Sequence, residues 1–222
     1  MIKLRRLGVL LATLAWPLSS LAVSPARQEF LDATLARPNK DSGAELFRGC
    51  AICHGPDGGG NVDGNVPRIS GQHTRVTIQQ LIDYRYSKRW DPRMEHISDK
   101  HWLPEIQEIA DLAGFIATLE PRTPAGTGQG TDVELGRQIY LARCSSCHGR
   151  AGEGDDQALV PRLGGQHYLY LLRQFHDALE GRRPNLSRTH TRLLKDLDRD
   201  GLQGMADMLS RTPATSDAAA GR

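Results

Sequence analysis

The residues with the clearest chemistry are four cysteines, all in two short runs. These are Cys50-Ala51-Ile52-Cys53-His54-Gly55 and Cys144-Ser145-Ser146-Cys147-His148-Gly149. On a helical turn, cysteines three apart face the same side. Both sulfurs can then form thioethers with the vinyl groups of one haem, while the next residue, histidine, sets an imidazole nitrogen on the iron. Zinc would need four ligands at each site. Disulfides would leave both adjacent histidines, and the repetition of the whole context, unexplained. The runs therefore predict two covalently bound haem c groups, one on Cys50, Cys53 and His54, the other on Cys144, Cys147 and His148.

The elements that position these residues are written twice. Pro67-Arg68-Ile69-Ser70-Gly71-Gln72-His73 recurs as Pro161-Arg162-Leu163-Gly164-Gly165-Gln166-His167, at the same displacement of 94 residues as the cysteine motifs. Ile106 to Leu112 recurs as Leu202 to Met208 at a displacement of 96, so two residues are inserted between these blocks. Proline, glycine and small polar residues from Pro121 to about residue 131 carry no apolar periodicity and read as a linker. The expected organisation is a domain over residues 23–122 and a second over 123–222, the latter ending in a disordered tail from about Thr212.

Each repeat reads as helical. Ile106, Ile109, Ala110, Ala113 and Ile116 fall at helical spacing, with Ser98 or Asp99 available near the start and Pro104 tolerable in the first turn. Leu202, Met205, Ala206 and Leu209 repeat that stripe. A helix ending in each cysteine motif, and a middle helix around Gln79 to Tyr86 and around Tyr168 to Leu179, complete the unit; no strand alternation is evident. The expected fold class is all-α, in two tandem domains.

Met1 to Ala22 combines a basic start (Lys3, Arg5, Arg6), an apolar run from Leu7 to Leu18, and the small-residue site Ser20-Leu21-Ala22. This is the pattern of a secretory signal peptide, and the apolar run is short for a bilayer span and interrupted by Pro17. The mature chain is expected in the periplasm without a membrane span. It then carries 25 basic against 26 acidic residues, a balance that gives no basic patch for nucleic acid. The 39% hydrophobic content includes the signal segment, so each half is sparsely supplied with core side chains, and a haem would fill the deficit.

Three features together resemble the tandem class I dihaem cytochromes of the cytochrome c4 type. They are the lead Gly43…Leu46-Phe47 or Gly136…Ile139-Tyr140 into each motif, the Pro-Arg-x-x-Gly-Gln segment, and a candidate ligand before the last helix. The resemblance covers nearly all of the mature chain. It implies two small helical domains packed together and electron transfer between redox partner proteins, including membrane respiratory complexes. One departure is that Gly43 to Cys50 is one residue shorter than Gly136 to Cys144, so the entry to the first haem is expected to be distorted.

The resemblance also places a second iron ligand ahead of the last helix. Met94 lies there, in an Arg-rich loop twelve residues before Ile106; twelve residues before Leu202 stands His190. Met205 and Met208 align with Ile109 and Leu112 and read as core. His167 is mirrored by His73 and reads as structural, and His176 falls on the middle helix. The expected ligand sets are His54 with Met94 and His148 with His190. Methionine opposite histidine raises a haem potential, so the C-terminal haem is expected at the lower potential. By the same resemblance, the carbonyls of Pro67 and Pro161 accept the Nδ1 protons of His54 and His148, and Arg68 and Arg162 meet haem propionates. Two other functions are open at this stage: a peroxidase-like dihaem enzyme, and a haem-based gas sensor if the C-terminal iron lacks its second ligand.

Overall fold

From the motif helix to the last helix, the helices follow one another in the same order twice along the chain, the first motif helix matching a pair in the second half. The computed structural model describes residues 23–213, so the expected signal segment and residues 214–222 of the expected tail lie outside the described residues. Among the described residues there are ten helices and no strand, only an isolated bridge between Asp155 and Val160. None of these helices is long and apolar enough to cross a membrane.

The N-terminal half contains α1 (Pro25–Leu35), α2 (Lys40–His54), α3 (Thr74–Arg85), α4 (Pro92–Ser98) and α5 (Ile106–Ile116). The C-terminal half contains α6 (Val133–Arg143), α7 (Ser145–His148), α8 (Tyr168–Leu179), α9 (Arg188–Lys195) and α10 (Arg199–Arg211). Thus α3, α4 and α5 correspond to α8, α9 and α10, and the single helix α2 corresponds to the pair α6 and α7.

The helix bearing each motif lies across the last helix of its half at a glycine. A Cβ on Gly43 would stand 2.2 Å from the Asp111 carbonyl oxygen, and one on Gly136 would stand 2.0 Å from the Gly204 carbonyl carbon. Only glycine permits that approach. Around these crossings Phe47, Ile78, Ile82, Ile109 and Leu112 form the N-terminal core, and Tyr140, Leu171, Leu202, Met205 and Leu209 form the C-terminal one. Asp111 and Asp207, both buried, tie each last helix to the chain entering its half: Asp111 accepts from the Asn39 amide, and Asp207 from the amides of Gly128 and Gly130.

Several boundaries differ from the sequence expectation. The middle helix α3 starts at Thr74, five residues earlier than its apolar spacing suggests, because the chain turns at the buried His73. The last helix α5 starts at Ile106, with reciprocal capping between Glu105 and Glu108, and leaves Pro104 outside it. Ser98 instead ends α4. Helix α1 was not foreseen and has no counterpart in the second half. It packs on α3 and α5 and carries Glu29, whose carboxylate bonds Arg85 at 2.9 Å, Lys100 at 2.6 Å and the Tyr86 hydroxyl at 2.9 Å.

The expected distortion falls in the opposite half. Helix α2 runs unbroken through Cys50, Cys53 and His54, whereas the corresponding helix breaks at Cys144. The physical reason is the extra residue between Tyr140 and Cys144. Tyr140 and Phe47 hold equivalent core positions, so the surplus residue must be absorbed before the motif, and a turn at Cys144 absorbs it.

The two halves meet through the repeated Pro-Arg-x-x-Gly-Gln-His segments with approximate twofold symmetry. His73 Nε2 bonds to the carbonyl of Glu153 at 2.8 Å, and His167 Nε2 bonds to the equivalent carbonyl, Gly59, at 2.7 Å. The connecting segment is held rather than loose: Gly126 donates its amide to His167 Nδ1, and Thr123 donates its amide and hydroxyl to Asp57.

Candidate functional site

Each cysteine motif ends its helix at a glycine with positive φ, Gly55 at 77° and Gly149 at 78°, and the chain then folds back so that a proline carbonyl reaches the motif histidine. Gly60 and Gly154 allow this return, since a Cβ on either would stand 2.5 or 2.7 Å from the carbonyl carbon of Pro67 or Pro161. His54 Nδ1 donates to Pro67 O at 2.9 Å and His148 Nδ1 to Pro161 O at 3.4 Å. With Nδ1 so engaged, Nε2 is the nitrogen left for a metal. Burial pushes both imidazoles toward the neutral, metal-binding form; around His54 the Pro67 bond and Asp91 act against burial and Arg93 acts with it.

All four cysteines are free, with Cys53 and Cys147 exposed and Cys50 and Cys144 partly buried. Burial, and then the neighbouring Cys53, push the Cys50 thiol up to about 11; burial raises Cys144 as well. Each motif offers two sulfurs on one helical turn and an adjacent imidazole, which is the set one covalent haem uses and one ligand short of a closed zinc site. Among the described residues there is no cluster of three or more His, Cys, Asp or Glu side chains able to hold a metal ion by themselves. The residues present therefore fit a covalently attached haem.

Met94 is not in a loop, as its sequence surroundings suggested. It is the third residue of α4, whose N-cap Asp91 accepts from the Met94 amide and whose first residue is Pro92. Proline at that position gives up no helical bond, since its missing N–H would be unpaired there anyway. His190 occupies the same place in α9, third after the N-cap Ser187, which accepts from the His190 amide at 3.1 Å. The two-residue insertion lies just ahead of α9: one residue stands between Arg89 and the cap Asp91, and three stand between Arg183 and the cap Ser187.

The structure brings His148 and His190 together, with ring centroids 6.1 Å apart and planes at 51°. Two imidazoles on opposite sides of a metal, each at a bond of about 2 Å, have centroids roughly 6 Å apart. His190 Nδ1 is buried without a hydrogen-bond partner, so no bond at that nitrogen fixes its ring. Burial, and then Arg183, hold this imidazole below its usual pKa. Met94 packs against the N-terminal core, and Asp91 and Arg93 beside it lie near enough to His54 to act on it electrostatically.

Of the remaining candidates, Met205 is buried beside Cys144, with its sulfur 3.8 Å from Cys144 Sγ, and Met208 accepts from the Thr212 hydroxyl. His73 and His167 serve the contact between halves, and His176 is exposed on α8. Arg68 and Arg162 are both buried; the Arg68 guanidinium donates to the carbonyls of Gly165 and Thr123.

Sequence reasoning missed two sets of residues. Arg89 and Arg183 are 94 residues apart and so equivalent; Arg89 is buried, donating to Gln80, Tyr170 and Gln174 and lying over the Tyr84 ring. Gln72 and Gln166 lie in the repeated segment, and each bonds the backbone of the opposite half. Their recurrence at a constant displacement was the available signal, but sequence alone did not say what they touch.

The cytochrome c family model matches residues 41–120 and again 133–211. The chain is similar to cytochrome c4 of Azotobacter vinelandii, 32% identical over 152 residues that cover 61% of this chain and 70% of that protein. It is also similar to the thiosulfate dehydrogenase electron acceptor of Stutzerimonas stutzeri, 30% identical over 183 residues that cover 77% of this chain and 82% of the relative. Among solved structures, reduced recombinant cytochrome c4 from Pseudomonas stutzeri superposes with a TM-score of 0.68 at 24% identity, covering 78% of this chain and 98% of that one, a likeness of fold.

Proposed function

The chain belongs to the cytochrome c family, as a cytochrome c4-like electron-transfer protein with two covalently bound haem c groups, and we propose that it is a periplasmic carrier with two unequal ends. In this reading Cys50, Cys53, Cys144 and Cys147 hold the haems, His54 and Met94 ligate the N-terminal iron, and His148 and His190 ligate the C-terminal iron. The observation that carries it is the His148–His190 pair, set at the same helix position that Met94 holds in the other half. When bound, the haems supply two one-electron couples, the C-terminal one at the lower potential, so that electrons run downhill from the C-terminal to the N-terminal half.

The protein's own residues orient and insulate. Pro67 and Pro161 fix the planes of His54 and His148 through Nδ1. Asp91 and Ser187 cap the short helices and so fix Met94 and His190 at the same position, third after the cap. Arg68 and Arg162 are proposed to meet haem propionates. The carbonyls that Arg68 holds in this structure are weaker acceptors than carboxylates would be. The proposed domains follow the repeat, 23–122 and 123–222, and export follows the basic-apolar-small pattern of Met1 to Ala22.

Partners are redox proteins met in brief encounters, which bury little area. A dehydrogenase is the favoured donor class, supported by the similarity to a thiosulfate dehydrogenase electron acceptor along most of both chains. Stopped-flow mixing of the oxidised protein with a reduced donor tests the carrier role. The expected result is uptake of two electrons per chain in two resolved phases, with no peroxide turnover by the reduced protein. Uptake of one electron, or sustained peroxide turnover, would contradict it.

A further inference from the structure

The peptide group joining Pro67 to Arg68 is bonded at both ends. Its carbonyl oxygen accepts from His54 Nδ1 at 2.9 Å, and its N–H donates to Gln166 Oε1, in the other half, at 3.0 Å. The Gln166 carboxamide closes a second bond, Nε2 to the Arg68 carbonyl, at 2.8 Å. The arrangement is mirrored. The Pro161–Arg162 peptide accepts from His148 Nδ1 at 3.4 Å through its oxygen and donates to Gln72 Oε1 at 2.9 Å through its nitrogen, while Gln72 Nε2 bonds the Arg162 carbonyl at 3.1 Å.

A carboxamide carries both a donor and an acceptor, so it can bind the N–H and C=O of a single residue as a neighbouring strand would. An amide that gives up its N–H to an acceptor also gains electron density on its carbonyl oxygen, and hydrogen bonds through one peptide strengthen each other. Each proximal histidine is therefore one peptide group away from a glutamine of the opposite half. A stronger carbonyl acceptor at Nδ1 makes the imidazole a better donor to a metal on Nε2, and a better donor favours ferric over ferrous iron.

We propose that Gln166 and Gln72 are positioning residues that act crosswise: Gln166 lowers the reduction potential of the N-terminal haem through Pro67 and His54, and Gln72 lowers that of the C-terminal haem through Pro161 and His148. The stronger effect belongs to Gln166, because the His54–Pro67 bond is shorter than the His148–Pro161 bond by half an ångström. The pairing also explains why the Pro-Arg-x-x-Gly-Gln run is repeated as a block. Its proline serves its own haem, and its glutamine serves the other. The inference rests on the ligand assignment proposed above.

The test uses the holoprotein with Q166M, Q72M and Q166E, following each haem separately: the N-terminal one by its methionine-to-iron band, the C-terminal one by its bis-histidine EPR signal during redox titration. Methionine keeps the length of glutamine but removes both hydrogen bonds. Q166M is expected to shift the N-terminal haem toward the ferrous form by roughly two- to fourfold in its equilibrium constant and leave the C-terminal haem in place. Q72M is expected to do the reverse, by less. Q166E keeps the acceptor for the Arg68 amide and is expected to leave the N-terminal potential at or below that of the unsubstituted protein; this decides the matter if Q166M does not fold. Equal shifts of both haems, a shift confined to the substituted half, or a rise with Q166E would overturn the proposal while leaving the carrier reading intact. Failure of the unsubstituted protein to hold two haems, or to show the methionine band, would overturn both.

Discussion

The N-terminal half holds its histidine tightly and the C-terminal half holds its own more loosely. His54 is buried on an unbroken α2 with a 2.9 Å bond to Pro67, whereas His148 is half-buried behind a break at Cys144 with a 3.4 Å bond to Pro161. The first half also carries α1, locked by Glu29 to α3 and the loop before α5, and the second has no such helix. Yet the two share their helix crossings, their glycine turns and the third position of the fourth helix. The frame is repeated, and under the proposed ligand sets the halves differ in what that frame would offer each iron: a methionine or a histidine, and a firmer or softer bond behind the motif histidine.

Making the halves alike should produce the largest change. His190→Met should raise the C-terminal potential and Met94→His should lower the N-terminal one, each by on the order of 0.1 V or more, measured by spectroelectrochemistry. Unchanged potentials would mean that neither residue ligates.

Next comes the anchor of α1. Burial raises the Glu29 carboxyl, but the bonds from Lys100, Arg85 and Tyr86 outweigh it and hold the group below the usual carboxylate range. A carboxylate depressed on folding stabilises above its unfolded pKa of about 4.3 and loses that contribution as pH falls through the folded value. Glu29→Gln should therefore cost about 2 kcal/mol near neutrality, with the difference from the unsubstituted protein vanishing in acid. Denaturant unfolding of the holoprotein against pH measures it, and a loss independent of pH would contradict the role.

The smallest expected effect comes from deleting Ala142, which removes the surplus residue ahead of Cys144. The motif helix should become continuous, the His148–Pro161 bond should shorten, and the C-terminal potential should fall by roughly 20–40 mV. A rise would show that the break is not what loosens that bond.

Much of this was legible in sequence because it is written twice. The motifs, their histidines and the equivalence of Met94 with His190 follow from displacement alone, and the last helices follow from their apolar stripes. What escaped depends on contacts between segments far apart in the chain. Helix α1 has no repeat to announce it, and its anchor Glu29 reads as an ordinary surface acid until Arg85 and Lys100 meet it. The count from Gly43 or Gly136 to the cysteines showed that the halves differ but not which one yields; core packing at Tyr140 decides that. The roles of Gln72, Gln166, Arg89 and Arg183 require the halves to be docked.

The most direct test of two unequal ends is low-temperature EPR of the oxidised holoprotein together with its near-infrared spectrum. The expected result is one low-spin signal from a histidine–methionine haem, with the methionine-to-iron band, and one from a bis-histidine haem. A high-spin signal, or two identical low-spin signals, would contradict it.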